Sequence, residues 1–411
     1  MRIRNLFTGF SNPNLLSLYL PAFTLALGNG IAAPALPVFA KAFDVSFGVA
    51  SLVIVVHMVG GAAATIPTGY MIDKFGRRRI LLAGPLLTAL ASFLVASSQS
   101  FPELLAYRFL GGWASQMWQV SRLTVIADTG RSGERGRQIT GMAALQRTGG
   151  LLGPALGGVT AALWGVRVPF IIHGVLAILS VIPSFRLIRE TAPSQMSAPE
   201  SGRSEGGENA PYSIRSLMVY PVMVLFAAQL FANFIRGAGG AQGGGPLFLY
   251  AVYAYGIDPL TLGLLASITA GIGIPITFAA GHIMDRFGRK AGVVPGTALL
   301  GIGMFFLAVT AFYDWSFLTF AAGFLWINLG MSLMSGSMQT MGSDVAPRFA
   351  RGRFFGVQRL VAEVGQVLSP LTFAGIAATL GFTASFLFVG TMGFGTSLWI
   401  AVMIRETLKR R

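Results

Sequence analysis

Residues 69–79 read Gly-Tyr-Met-Ile-Asp-Lys-Phe-Gly-Arg-Arg-Arg and join two long apolar runs. A near copy, Gly-His-Ile-Met-Asp-Arg-Phe-Gly-Arg-Lys, occupies residues 281–290 and also lies between two apolar runs. The copies are 212 positions apart, so one chain contains the same unit twice. Each copy predicts a tight turn between two helices, with basic residues at its end.

The apolar runs predict an all-α membrane protein. Of the 411 residues, 54% are hydrophobic and 11% are charged, whereas soluble domains carry about 25% charged residues. Several runs exceed the roughly 18 apolar residues that mark a spanning helix. A β-barrel would instead show segments of about ten residues with alternating polarity, and the sequence has none.

Twelve transmembrane helices fit these runs, in two pseudo-symmetric halves of six. We expect an N-terminal half at 1–188, a polar cytoplasmic linker at 189–215 and a C-terminal half at 216–411. The predicted spans are 15–40, 46–72, 79–98, 101–128, 138–163, 167–188, 216–252, 260–285, 291–312, 315–342, 352–379 and 382–405.

A second pair of loops supports the duplication. Asp128 precedes Arg135-Gly136-Arg137, and Asp344 precedes Arg351-Gly352-Arg353 with the same spacing. The offset is 216, and Pro154 matches Pro370 at that offset. Two six-helix halves of parallel topology predict a secondary transporter whose substrate binds between the halves, near the bilayer midplane.

The basic residues define the topology. Most of them fall in the termini and the even-numbered connections, and only Lys41 and Arg167 fall on the opposite side. This asymmetry places both termini in the cytoplasm and the Arg clusters against lipid headgroups. It also explains the net charge of +15 without nucleic-acid binding. The short loops flanked by arginine favour a bacterial plasma (inner) membrane.

The absence of cysteine excludes disulfides, thiolate metal sites and a cysteine nucleophile. No small-residue cleavage site follows the first apolar run, so we interpret that run as a retained helix. We expect no metal and no cofactor, with a proton gradient as the energy source.

At the loop of residues 69–79, each residue type has a physical reason. Gly69 is expected to allow close helix packing, and Gly76 permits a tight turn into the next helix. Asp73 lies at the membrane edge, where a lone carboxylate is costly and needs a partner.

The whole chain resembles the major facilitator superfamily, most specifically through Gly69-x-x-x-Asp73-Lys74-x-Gly76-Arg77-Arg78. The resemblance implies that Asp73 meets the N-terminal end of span 11 near Phe354, and that Arg77 reaches Asp128. These contacts would lock one conformation and break during transport. Alternatively, Arg77 to Arg79 only anchor the topology. The expected gating residues are Gly69, Asp73, Gly76, Arg77, Asp128, Asp285 and Arg289.

Span 5 contains small residues at intervals of four around a proline. Such spacing lets helices approach closely, and the proline bends the helix. The run resembles the antiporter motif of proton-coupled exporters, although a packed, bent helix of another transporter could carry it. Its residues are Gly149, Gly153, Pro154, Gly157 and Gly158. In span 1, residues 27–37 resemble a motif of the twelve-helix drug exporters.

Ionisable groups inside spans are candidates for proton coupling. Glu363 is the acid placed deepest in a span, and a desolvated carboxylate can load and release protons near neutral pH. Alternatively, Glu363 forms a structural ion pair with Arg359, four residues earlier. His57 is a second candidate, with a hydrogen-bonded packing residue as the alternative. Arg108 with Gly112 partly resembles the family's Arg-x-x-x-Gly element, but Gly111 replaces the usual Gln.

The cavity-facing spans carry arginines and amides rather than acids. In this superfamily spans 1, 4, 7 and 10 line the cavity, so a cavity with arginines should favour neutral or anionic amphiphiles. The candidate substrate contacts are Arg122, Arg236, Asn29, Gln229, Asn233, Trp118 and Trp326.

These features predict a monomeric proton-coupled exporter of amphipathic small molecules that works by alternating access. Uptake of an organic anion, by symport or facilitated diffusion, is the alternative that the arginines favour. An intramembrane enzyme would need a metal or nucleophile constellation, and none is visible. A sensor or scaffold would need a soluble domain, and the linker is too short for one.

Overall fold

The computed structural model describes residues 13–129, 135–187, 220–239, 245–345 and 351–406. These ranges contain helices and no strand. The helices are α1 (Pro13–Ala32), α2 (Ala35–Lys41), α3 (Phe47–Ala50), α4 (Leu52–Phe75), α5 (Arg77–Ser97), α6 (Phe101–Thr129), α7 (Arg135–Trp164), α8 (Val168–Leu187), α9 (Tyr220–Ala238), α10 (Pro246–Tyr255), α11 (Pro259–Phe287), α12 (Lys290–Phe312), α13 (Phe317–Leu333), α14 (Ser337–Val345) and α15 (Arg351–Met403).

These helices match the twelve predicted spans. Several spans are built from two helices, because Pro34 separates α1 from α2 and Ser51 separates α3 from α4. Spans 11 and 12 are both within α15, which breaks at Gly381 where φ is +86°. Eight helical segments within the described residues are long and apolar enough to cross a membrane. The predicted all-α fold with twelve membrane helices is confirmed.

The chain divides into two compact units. Unit 1 contains the described residues of Met1–Asp44, Leu52–Gly207 and Asp258–Ser267. Unit 2 contains those of Val45–Ser51, Glu208–Ile257 and Ile268–Arg411. The predicted linker falls at 189–215, outside the described residues. The predicted domain boundaries therefore stay a prediction.

Unit 1 packs through backbone contact. Its α4 lies against α6, and its α1 lies against both α7 and α8. A side chain at Gly112 would overlap the carbonyl group of His57, and one at Gly60 would overlap the carbonyl group of Phe109. Glycine at these positions lets α4 and α6 approach closely, which holds polar side chains at a fixed register.

Unit 2 packs around α15, which contacts both α9 and α12. Its core joins Leu225 of α9, Val293 of α12, Met341 of α14, and Phe354 and Ile400 of α15, all nearly inaccessible to solvent. This core holds the start of α12 beside both ends of α15.

Candidate functional site

The first loop turns at Gly76, where φ is +91° between the end of α4 and the start of α5. Arg78 Nη2 donates to the carbonyl oxygen of Phe185 at 2.8 Å, and the guanidinium lies over the Phe185 ring. The arginine therefore ties the start of α5 to the end of α8. Asp73 is exposed, and the side chain of Asp128 lies outside the described residues. The predicted contacts of Asp73 and of Arg77 with Asp128 stay predictions.

The close packing expected at Gly69 is not observed. No atom of the described residues lies within 4 Å of a Cβ built at this glycine. The close approach between α4 and α6 is made instead at Gly60 and Gly112. The reason is geometric, because the contact depends on the crossing point of the helices and not on the loop.

In the second loop, Arg289 is held by two carboxylates. Its Nη1 lies 2.6 Å from Asp285 Oδ1, and its Nε lies 3.5 Å from Asp344 Oδ2. In the sequence repeat, Arg289 corresponds to Arg77 and Asp344 to Asp128. The pair predicted for the first loop is thus present between the corresponding residues of the second.

Glu406 supports the same loop from the end of α15. Its carboxylate accepts the backbone N–H groups of Arg289 at 2.8 Å and Lys290 at 3.2 Å, so it caps the start of α12. Lys290 Nζ in turn donates to the carbonyl oxygen of Ile404 at 2.7 Å. Gly288, with φ +112°, leaves room for the carboxylate. Glu406 was not predicted from the sequence, because its partner is 117 residues away.

The glycines of the span 5 motif lie against α1. A Cβ at Gly149 would lie 2.8 Å from the backbone nitrogen of Leu27, and one at Gly153 would lie 2.7 Å from the Cα of Gly30. Gly157 approaches the backbone of Ile31 in the same way. This face of α7 therefore packs directly on the backbone of α1.

Another part of the motif contacts the first turns of α11, within unit 1. Gly158 lies against Pro259 and Leu260, and a side chain at Gly263 would overlap the carbonyl group of Pro154. Next to Pro154, the backbone N–H of Ala155 donates to Ser267 Oγ at 2.9 Å. The hydroxyl thus accepts an N–H that a regular helix would use internally. Ser267 was not predicted, although its spacing of four from Gly263 is typical of packed membrane helices.

A polar cluster joins α4, α5, α6 and α8 in unit 1. His57 Nδ1 lies 3.2 Å from the carbonyl oxygen of Arg108, and Arg108 Nε donates to the carbonyl oxygen of Val53 at 3.2 Å. His173 Nδ1 lies 3.1 Å from Ser92 Oγ. Two of the predicted proton-coupling candidates, His57 and Arg108, are therefore in contact. The bond between His173 and Ser92 was not predicted, since nothing in the sequence pairs α5 with α8.

A second polar cluster joins α9 and α15 in unit 2. Gln366 Nε2 donates to Asn233 Oδ1 at 3.1 Å, and Asn233 Nδ2 donates to the carbonyl oxygen of Gln229 at 2.8 Å. Gln229 is 6% exposed, and its Oε1 has no hydrogen-bond donor in the described part of the chain. Also on α15, Arg359 Nε lies 2.9 Å from Glu363 Oε1. The ion pair that the sequence offered as an alternative at Glu363 is present.

The other predicted substrate contacts have different surroundings. Arg122 is buried, Arg236 is partly buried, and both interact with neighbouring groups. Trp118 lies in an apolar cluster with Leu18 and Met142 and is 4% exposed. Asn29 is exposed, and Trp326 is 43% exposed. Their roles toward substrate stay predictions.

Comparison with known proteins adds a family and several relatives. A family model described as Major Facilitator Superfamily matches residues 18–370 and 239–411. The quinolone resistance protein NorA of Staphylococcus aureus is 29% identical over 186 residues, which are 45% of this chain and 48% of NorA. The chain thus spans about half the length of the curated relatives it matches.

Two solved structures share the fold at low sequence identity. A D-xylose-proton symporter superposes with a TM-score of 0.75 at 18% identity, covering 98% of both chains. A POT family transporter in complex with 5-aminolevulinic acid superposes with a TM-score of 0.77 at 14% identity, covering 94% of this chain and 95% of that one. These likenesses concern the fold alone.

Proposed function

The chain belongs to the Major Facilitator Superfamily, and from this premise we propose that it exports amphipathic organic compounds, neutral or anionic, in exchange for protons. It is a multi-pass membrane transporter and not an enzyme. The export would proceed by alternating access. The transporter would be a monomer in a bacterial inner membrane, with both termini on the cytoplasmic side. Protonation of a carboxylate would bias the two conformations.

The arrangement of α7 carries the proposal of export. Glycines of the antiporter-like motif lie directly on the α1 backbone, and the Ala155 N–H is bonded to Ser267 of α11. The motif therefore lies in a closely packed helix that contains a proline, in line with the resemblance to proton-coupled exporters. The similarity to a quinolone resistance protein over 186 residues supports the same direction of transport.

The polar groups of both units support an amphipathic substrate without positive charge. Arg108 pairs with a carbonyl oxygen rather than an acid. Gln229 holds a buried acceptor with no donor in the described residues, which a substrate N–H or O–H could satisfy. Among the described residues, no carboxylate is paired with Arg108 or bonded to Gln229 that would favour a cationic substrate.

Uptake of an organic anion by symport is the second candidate, because Arg108, which has no acidic partner in the described part of the chain, would suit an anion in either direction. The sign of the driving gradient separates the two functions. Proteoliposomes loaded at acidic pH in an alkaline buffer should accumulate a fluorescent amphiphile if transport is by antiport. The opposite gradient should drive accumulation if transport is by symport, and a protonophore should abolish either.

A further inference from the structure

Three basic side chains meet in unit 1 at the polar cluster of α4, α6 and α8. They are His57, Arg108 and His173. A Cβ at Gly111 would lie 3.6 Å from His57 Nδ1 and 3.8 Å from Ala91 Cβ, so α6 brings His57 close to α5 at this level. The next residue of α5, Ser92, bonds His173. His173 also interacts electrostatically with Arg108 and with His57, so the three basic groups belong to one polar region.

Two hydrogen bonds fix the orientation of Arg108. A carbonyl oxygen can only accept, so His57 Nδ1 donates to the carbonyl oxygen of Arg108, and Nε2 keeps its lone pair in the neutral imidazole. Arg108 Nε donates to the carbonyl oxygen of Val53, which lies one turn before His57 on α4. The side chain and backbone of Arg108 are thus both held by α4.

The outer edge of the Arg108 guanidinium is left unused. Only Nε has an acceptor in the described part of the chain, and the two terminal nitrogens are not among its buried polar atoms without a partner. The Arg108 side chain as a whole is partly buried. A planar fork of N–H donors fits the two oxygens of a carboxylate better than any neutral acceptor.

Within the described residues, the charge of the Arg108 guanidinium has no acidic partner. The charged or titratable groups that face Arg108 from packed helices are His57 and His173, both basic. Glu103, on the same helix, accepts the backbone N–H of Gln99 at the start of α6. None of the described carboxylates pairs with Arg108, and a charge held inside a membrane protein without a counter-charge is costly.

We propose that Arg108 is the ligand of an anion subsite that binds the carboxylate or sulfonate group of an amphipathic substrate, with His57 as its positioning residue. This inference rests on the proposed function and specifies its substrate class. The anionic group supplies the counter-charge that the described protein lacks. The apolar part of the substrate would extend away from the fork.

The test compares two probes that differ by one charge, dansylglycine and its methyl ester. Binding to the purified protein is followed by energy transfer from tryptophan at pH 8, where the imidazoles are neutral and Arg108 is the charge. Arg108→Gln should weaken dansylglycine binding by about ten-fold or more and leave ester binding unchanged. Arg108→Lys keeps the charge but loses the planar fork of donors. Its affinity for dansylglycine should lie between those of the wild type and Arg108→Gln.

Matched variants separate charge from folding. Arg147→Gln removes another arginine of unit 1 and should leave the preference for dansylglycine intact. His57→Gln keeps a side-chain donor for the Arg108 carbonyl and should retain more of the preference than His57→Leu. Equal losses for both probes in Arg108→Gln, or no loss for either, would overturn the subsite.

The binding measurement needs no proton gradient. A negative binding result can therefore be distinguished from a failure of proton-coupled transport. A wild-type protein that prefers dansylglycine through Arg108 but moves no protons would refute proton-coupled export and leave the subsite standing. A wild-type protein without this preference would refute the subsite and leave export of neutral compounds open.

Discussion

The carboxylate of Glu406 accepts the backbone N–H of Arg289 at 2.8 Å. Glu406, just beyond α15, thereby caps α12, the helix that follows the second loop (residues 281–290). The first loop has a related tie, because Arg78 donates to the Phe185 carbonyl at the end of α8 as Lys290 donates to the Ile404 carbonyl beyond α15. In both units, the loop after the second helix of the half is fastened to the end of its sixth.

Loss of the Glu406 cap should destabilise unit 2. Glu406→Ala leaves two N–H groups at the start of α12 without their acceptor, which costs about 0.5–2 kcal/mol. We expect the thermal unfolding midpoint to fall by roughly 2–4 °C per kcal/mol. Arg405→Ala, an exposed neighbour, is the control and should leave the midpoint unchanged. A midpoint that falls equally in both variants would show that Glu406 is not a cap.

The two signature-like loops should differ in their tolerance of substitution. Asp285→Asn removes an exposed partner of Arg289, which keeps Asp344, so the loss in transport should stay within about two-fold. Asp73→Asn should reduce transport by about ten-fold or more, because the first loop is the more complete copy of the motif. Transport rates in matched proteoliposomes measure both. Similar losses of transport in the two variants would contradict the prediction that the first loop contributes more than the second.

The bond from Ala155 to Ser267 should depend on Pro154. Ser267→Ala leaves a partly buried N–H without this acceptor, at a cost of about 1 kcal/mol, whereas Ser267→Thr keeps the hydroxyl. Pro154→Ala should let α7 straighten and return this N–H to the helix, which makes Ser267 dispensable. Thermal unfolding of Ser267→Ala, Pro154→Ala and the double variant gives the coupling free energy between the two positions. Additive effects would contradict the role given to Ser267.

A matched pair of variants distinguishes the two roles of Glu363. Glu363→Gln and Arg359→Gln both break the 2.9 Å ion pair, and each should cost less than about 1 kcal/mol because the pair is partly exposed. If Glu363 carries the proton, Glu363→Gln alone should uncouple substrate movement from proton movement. The measurement is the ratio of the two fluxes. Equal behaviour of the two variants would assign Glu363 a structural role.

Long apolar runs and duplicated turns were readable in the sequence, because membrane helices need a minimum apolar length and tight turns need glycine. The twelve helices and the turns at Gly76 and Gly288 follow from these requirements. The local pair of Arg359 and Glu363 was also readable, since residues four apart share a helix face.

Contacts between distant helices were not readable in the same way. Glu406, Ser267 and Ser92 find partners that are remote in the sequence, and those partners depend on how helices cross. Gly69 is another example. Close helix packing was expected there, but α4 and α6 approach each other at Gly60 and Gly112. A small residue permits a close approach, but its position in the sequence does not say where helices meet.

Coupled export predicts a proton movement opposite to that of the substrate. Dansylglycine or its methyl ester is added outside proteoliposomes that contain a pH-sensitive dye, without an imposed gradient. Antiport predicts that the lumen becomes alkaline as substrate enters, and that Asp314→Asn, which alters an exposed acid, leaves this signal intact. Substrate entry with an acidified lumen, or with no pH change, would contradict proton-coupled export and indicate a symporter or a uniporter.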